Sequence, residues 1–278
     1  MPDAFTQGSP VSKIATHIAS RPTLLPFFLA GVLALTGCQS SPEAKTVPSK
    51  AATEDSAFRA FMAEFQPTVI AHMLSANSQG AVGIKNLRIK FNRNNEILSC
   101  DAGPAGAPWV AQMPSMTQRL DANKIVRLVN RECWKIIYPL VPVHLFKDDE
   151  TVELVAPLVF GPLSVAAASG QRTRLLYQAQ SDYFWKHLLI NRAVDSIGVA
   201  GLRFQANAQG EVEGCLVSLA PAYVRRDAFK FDNTLQEQLT TQCKTLDLRQ
   251  MPGFLPDENG LVRGYVEVAY APWKVGRD

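Results

Sequence analysis

Five cysteines are the residues of this 278-residue chain best equipped for chemistry, and their spacing sorts them. Cys38 stands alone near the N-terminus. Cys100, Cys133, Cys215 and Cys243 fall into two pairs that recur at corresponding places in two similar stretches. Thiols can ligate zinc, exchange electrons or close disulfides. Zinc and redox centres favour Cys-x-x-Cys spacing or histidines placed beside the cysteines, and neither pattern occurs here. His72 lies between Ala71 and Met73, and His187 between Lys186 and Leu188; packing or capping accounts for both. There is no Gly-x-Ser-x-Gly, no phosphate-binding loop and no carboxylate pair with an assignable role. Trp109, Trp134, Trp185 and Trp273 read as core or interface aromatics rather than a carbohydrate platform. The sequence therefore predicts no catalysis, no metal and no cofactor.

The two similar stretches are one text written twice. Leu87 to Cys100 aligns without a gap on Leu202 to Cys215, with Leu, Arg, Asn, Glu and Cys coincident, at the offset that carries Cys100 onto Cys215. The same offset puts His72 on His187, Leu74 on Leu189 and Gly83 on Gly198. Further on, the offset that carries Cys133 onto Cys243 also matches Val141-Pro142 to Met251-Pro252 and Leu145 to Leu255. A tandem duplication of one small domain is expected, and the length leaves room for two domains of roughly 100 residues each. Apolar residues at 47% and charged residues at 19% suit a chain with buried cores. A formal net charge of +3, with scattered basic residues, gives no footprint for nucleic acid.

Near the N-terminus, a polar leader with Lys13 and Arg21 precedes the apolar run Leu24 to Leu35. The run is short for a membrane span of about 20 residues and has the length of a signal-peptide core. It ends in Leu35-Thr36-Gly37-Cys38, which resembles the bacterial lipobox, whose cysteine is acylated and becomes the new N-terminus. Gln39 after it, rather than Asp, points to the outer membrane. These features imply residues 1–38 as a lipoprotein signal peptide with its lipobox, Cys38 as the lipidation site, and anchorage in the cell envelope facing the periplasm. Residues 39–54, beginning with a stretch rich in Ser, Pro, Ala and Lys, read as a flexible tether. The first domain is expected over 55–160, a linker of small residues bracketed by glycines over 161–171, and the second domain over 172–278.

Periodicity changes in the same order in each copy. Phe58, Phe61, Met62, Phe65, Val69, Ile70, Met73 and Leu74 recur at helical spacing, as do Leu176, Phe184, Trp185, Leu188 and Leu189. Two β-like runs follow, divided by Asn92-Arg93-Asn94-Asn95 and by Asn207-Ala208-Gln209-Gly210, which are tight-turn sequences. A second helix opens after Asp121 and Asp232, each read as an N-cap. A strand closes each copy, over Glu150–Phe160 and Leu261–Tyr270. The predicted fold is α+β, with two tandem small domains, each a roughly three-stranded antiparallel sheet with helices packed on one face. Export to an oxidising compartment, together with the repeat, pairs Cys100 with Cys133 and Cys215 with Cys243. The stripes Ile125, Val129, Cys133 and Leu235, Leu239, Cys243 place the second cysteine of each pair toward the sheet.

The run Phe91 to Cys100, the helix start Leu120-Asp121-Ala122, a proline segment and a closing strand resemble the C-terminal domain of TonB. Asn207 to Cys215 and Phe231-Asp232-Asn233 repeat the pattern, and the TolA C-terminal domain shares the topology. The resemblance covers most of 55–160 and 172–274. TonB and TolA proteins are similar in carrying an inner-membrane helix and a long stalk. A lipobox and a short tether depart from that, so the resemblance implies a binding domain without energy transduction. It implies partners that are envelope proteins or extended peptide segments, captured by strand addition. Pro157 interrupts the first closing strand, whereas the second has no proline before Pro272. The second copy is therefore expected to be the main peptide-binding one, with Arg263, Tyr265 and Glu267 at the partner face. Two rivals stand beside this reading: an envelope hydrolase with perturbed titratable groups converging in a pocket between the copies, and a purely structural component of an envelope complex.

Overall fold

The first apolar stripe forms helix α1 (Lys50–Ala76) in a computed structural model that describes residues 50–106, 121–161 and 165–277. Cys38, the lipobox, Trp109 and most of the expected tether lie outside the described residues. Phe61, Phe65, Val69, Met73 and Ala76 are buried along one face of α1. Ile70 and Leu74 turn to the opposite face and are exposed; Phe58, a turn before the first core contact, is exposed as well. The helix begins inside the expected tether, because Ala51, Ala52 and Glu54 favour helix once Phe61 and Phe65 anchor the next turns.

Among the described residues, six strands make two antiparallel sheets of the same topology. β1 (Gly83–Asn92), β2 (Ile97–Gly103) and β3 (Thr151–Phe160) run in the order β2-β1-β3; β4 (Gly198–Asn207), β5 (Val212–Pro221) and β6 (Leu261–Tyr270) run in the order β5-β4-β6. Registers correspond. Gly83 faces Phe160 as Gly198 faces Tyr270, and Ile89 faces Cys100 as Phe204 faces Cys215. A bulge follows Lys90 in one sheet and Gln205 in the other. The hairpin turns share their bonds too: Asn92 Oδ1 accepts from the Glu96 amide and Asn207 Oδ1 from the Glu211 amide. Both turns need a positive φ at their last residue, 60° at Asn95 and 81° at Gly210.

Helix α2 (Ala122–Glu132) covers β2 and β1, and α4 (Asn233–Cys243) covers β5. Asp232 caps α4 as expected, accepting from the Leu235 amide at 2.9 Å. Asp121 does not cap α2. Its carboxylate accepts the Val82 amide at 3.2 Å and pairs with Lys124, so a tertiary contact has taken the place of the cap.

The segment expected as a linker is largely helical. α3 (Val165–Phe184) starts within 161–171 and continues through a π-helical turn, Trp185–Leu189. Its run Val165 to Ala168 carries helix-compatible residues, and Gln171 is buried and donates to the Asn77 carbonyl at 2.8 Å, fastening α3 against α1. The second core holds Phe184, Leu202, Leu239 and Val266; the first holds Phe65, Ile89, Val129 and Tyr138, and is completed by Ile197, Ala222, Ala271 and Trp273 from the second half. All described residues belong to one compact unit, Pro48–Asp278.

Candidate functional site

A three-stranded sheet has two edges, and α2 and α4 bond to one of them. In the first half the Ala102 amide on β2 donates to Asn130 Oδ1 at 2.8 Å. In the second half the Val217 and Leu219 amides on β5 donate to Thr240 Oγ1 at 3.3 Å and Gln236 Oε1 at 3.2 Å. The cysteines reinforce the same edge: the structure joins Cys100 on β2 to Cys133 after α2, and Cys215 on β5 to Cys243 ending α4, with Cα–Cα distances of 6.2 and 6.1 Å. All four are buried.

The opposite edge of the second sheet is β6. Successive residues of an edge strand turn their amide and carbonyl alternately toward the neighbour and away from it. The outward set here is Leu261, Arg263, Tyr265, Glu267 and Ala269. Leu261 exchanges bonds with Asp257 across the preceding turn. The Glu267 amide donates to the Tyr177 hydroxyl at 3.0 Å, the Ser181 hydroxyl donates to the Glu267 carbonyl at 2.9 Å, and Lys274 Nζ donates to the Ala269 carbonyl. Only Arg263 and Tyr265 keep both outward backbone groups without a partner among the described residues. The open edge expected over Leu261–Tyr270 is therefore two residues long. Glu267, expected at the partner face, has its backbone taken by α3. Tyr177 and Ser181, four apart on one helix face, are the residues missed; their spacing is legible in sequence, but the strand they meet is not.

Beside the open residues lies a groove of about 350 Å³, lined by the apolar Phe204, Met251, Leu255 and Val262 and by the polar Gln180, Asp257 and Arg263. A Cβ on Gly264 would stand 2.4 Å from Phe204 Cζ, so only glycine lets that ring rise to the groove floor. Leu255 on the rim is 81% exposed. Outside the groove, the Tyr265 hydroxyl donates to Glu267 Oε1 at 2.8 Å, and the Arg203 guanidinium lies 5.6 Å from the Tyr265 ring centroid. Arg263 Nε donates to Gln205 Oε1 at 3.0 Å.

A second assembly sits where the two halves meet. The Glu132 side chain, 3% exposed, receives Arg131 Nε at 2.6 Å and faces His72 Nε2 at 3.2 Å and Lys135 Nζ at 3.6 Å. A carboxylate can only accept, so His72 donates from Nε2. Burial pulls the Glu132 carboxyl upward, and the bond from His72, the Lys135 charge and the Arg131 bond outweigh it, holding it at about 2. Lys135 crosses to Asp182 on α3 at 3.0 Å. Lys274, 8% exposed, lies 4.5 Å from the Trp185 ring centroid; burial, helped by Lys135, lowers its ammonium to about 7. A cleft of about 210 Å³ opens among His72, Lys135, Asp182, Trp185 and Lys274. Two groups with shifted values, Glu132 and Lys274, thus lie near the junction of the halves, and each is bonded to protein.

His187 packs against Tyr183 with ring centroids 4.4 Å apart, and its carbonyl accepts from Gln242. Trp134 lies under the Arg277 guanidinium at 3.6 Å, while Trp185 and Trp273 are buried. Among the described residues no cluster of three or more His, Cys, Asp or Glu could hold a metal ion, and no helix is long and apolar enough to cross a membrane. No protein-family model, no curated protein and no solved structure matches the chain.

Proposed function

We propose that this chain is a lipid-anchored protein of the bacterial cell envelope, held at Cys38 and facing the periplasm, whose work is to bind other envelope proteins by adding an extended segment of theirs to β6. The observation that carries this reading is the pair of outward groups at Arg263 and Tyr265, unpartnered among the described residues, on the edge that the disulfides leave alone and that α3 covers only at Glu267. Unpaired edge amides and carbonyls invite another strand unless something blunts them. In strand addition main-chain bonds give affinity and flanking side chains give selectivity. The TonB-like order of elements supports the same mode. The charged groups at the junction favour a lock between the halves over a reaction centre, since Glu132, Lys135 and Asp182 bond one another across it and Lys274 bonds β6.

Tyr265→Pro tests the reading, because it removes one outward amide without touching the β4 ladder; Tyr265→Val, which copies Val155 of β3, keeps that amide. The full chain, challenged with a library of extended decapeptides, is expected to bind a subset of them. The valine variant should keep that subset, and the proline variant should lose it with unchanged circular dichroism. Failure of the wild-type chain to bind any peptide, or binding that survives the proline, overturns the proposal.

A further inference from the structure

The same edge differs between the two halves, position by position, and the differences describe a ligand. In the first sheet Arg88 on β1 is neutralised by Glu153 on β3 at 3.0 Å. In the second sheet Arg203 holds the place of Arg88, but Arg263 holds the place of Glu153, so a matched pair has become two cations. The acids nearby are engaged elsewhere. Asp257 accepts the Asn259 and Leu261 amides and pairs with Arg263 only at 3.7 Å, with both side chains half exposed, and Glu267 accepts the Tyr265 hydroxyl. Arg203 leans over the Tyr265 ring, toward the open edge.

The inner side of the edge has changed too. Leu154 of β3 corresponds to Gly264 of β6, and Ile89 to Phe204. Where the first sheet fills the position with a leucine side chain, the second leaves a glycine over an aromatic ring and opens the groove beside it. Pro157 stands where Glu267 stands, removing an outward amide from the first edge.

We propose that the ligand of β6 is an extended peptide segment with an acidic–apolar–acidic centre, whose apolar side chain enters the groove opposite Gly264 while its acidic neighbours face Arg263 and Arg203. This rests on the strand-addition reading above. A strand added at the usual spacing of about 4.8 Å turns alternate side chains to opposite faces. The residue opposite Gly264 then points at Phe204, Met251, Leu255 and Val262. Those opposite Arg263 and Tyr265 point to the outer face, where the guanidinium groups lie. Two backbone residues supply few main-chain bonds, so the side chains must carry most of the discrimination.

Three labelled heptapeptides, identical except for centres of Asp-Leu-Asp, Lys-Leu-Lys and Asp-Ser-Asp, distinguish the possibilities by fluorescence anisotropy with the full chain. Wild type is expected to bind Asp-Leu-Asp at least about tenfold more tightly than either other peptide, the scale set by burying one leucine side chain and by adjacent opposite charges. Arg263→Glu should reverse the order of the Asp-Leu-Asp and Lys-Leu-Lys peptides. Leu255→Ser, on an exposed rim, should narrow the gap between the leucine and serine peptides. Equal binding of all three that is lost in Tyr265→Pro overturns this specificity and leaves strand addition standing. Equal binding that survives Tyr265→Pro overturns both, and no binding of Asp-Leu-Asp by wild type overturns the inference outright.

Discussion

Replacing Glu132 by glutamine should cost this protein about 3 kcal/mol at neutral pH and progressively less as the pH falls from 4.5 toward 2. The substitution keeps the volume of a side chain that is 3% exposed, but it exchanges a carboxylate for an amide facing His72 and Arg131, both donors. It also leaves Lys135 with Asp182 as its remaining acidic partner at the junction. Holding the carboxyl at about 2, below its ordinary 4.5, is worth about 1.4 kcal/mol for each pH unit of the difference. Because the folded value lies below the unfolded one, that stability is complete above about 4.5 and is lost as the pH falls toward 2. The size agrees with the 3–5 kcal/mol typical when one member of a buried ion pair is removed. Urea unfolding followed by tryptophan fluorescence, with the disulfides intact, measures the difference at pH 7 and at steps down to pH 3. The difference should shrink steadily below pH 4.5. A variant as stable as wild type at pH 7, or a deficit that persists undiminished at pH 3, refutes the account of Glu132 as the ionised hub of the first half.

Lys274 works in the opposite sense. Its folded value of about 7 lies below the ordinary 10.5, so the unfolded chain binds the extra proton between the two, and stability rises with pH across that window by up to about 1.4 kcal/mol per unit. Lys274→Met should be more stable at pH 7 and flatten that rise between pH 7 and 9; an unchanged slope refutes it. Removing either disulfide as a double Cys→Ala variant should cost about 3.5–4 kcal/mol on the chain-entropy scale for separations of 33 and 28 residues. Calorimetry checks this, and peptide mapping that links a cysteine of one half to the other half refutes the pairing. Cys38→Ser should abolish acyl labelling and leave unprocessed precursor; normal labelling in that variant removes the basis for envelope anchorage.

Local signals in the sequence carried most of the elements because they depend on contacts a few residues apart. The Asn-led turns at Asn92 and Asn207, the capping Asp232, the stripe Ile125-Val129-Cys133 and the alternation from Val262 to Tyr270 each require only a pattern and a period. What escaped depends on partners distant in sequence. Asp121 looks like a cap until Val82 arrives to claim its carboxylate. The small residues before Gly170 look like a linker until Asn77 gives Gln171 a partner. Glu132 shares the face of Ile125, Leu128 and Val129, but a charged residue at the end of an apolar stripe is normally solvated, and the compensation that lets it be buried comes from α1. The candidate site followed the same division. The strand and its exposed side chains Arg263, Tyr265 and Glu267 were legible; the loss of the Glu267 backbone to Tyr177 and Ser181 was not.

The contrast between the halves has a physical consequence for how the molecule divides its work. Both halves use the same helix-to-strand bonds and the same cysteine placement to bind one sheet edge, so neither leaves β2 or β5 as its chief exposed edge. They part on the other edge. The first closes its own through Pro157, the Arg88–Glu153 pair and Leu154, each of which lowers the gain from adding a strand. The second holds α3 across part of β6 and leaves Arg263 and Tyr265 open beside the groove. Since α3 is also fastened to the first half by Gln171 and by Asp182 on Lys135, the helix that sets the length of the open edge is positioned by the half that does not offer one. Weakening the junction should therefore be felt at Glu267 before it is felt at Cys215 or Cys243, because the bonds from Tyr177 and Ser181 are single side-chain contacts at the surface, while the disulfide edge is held by the core.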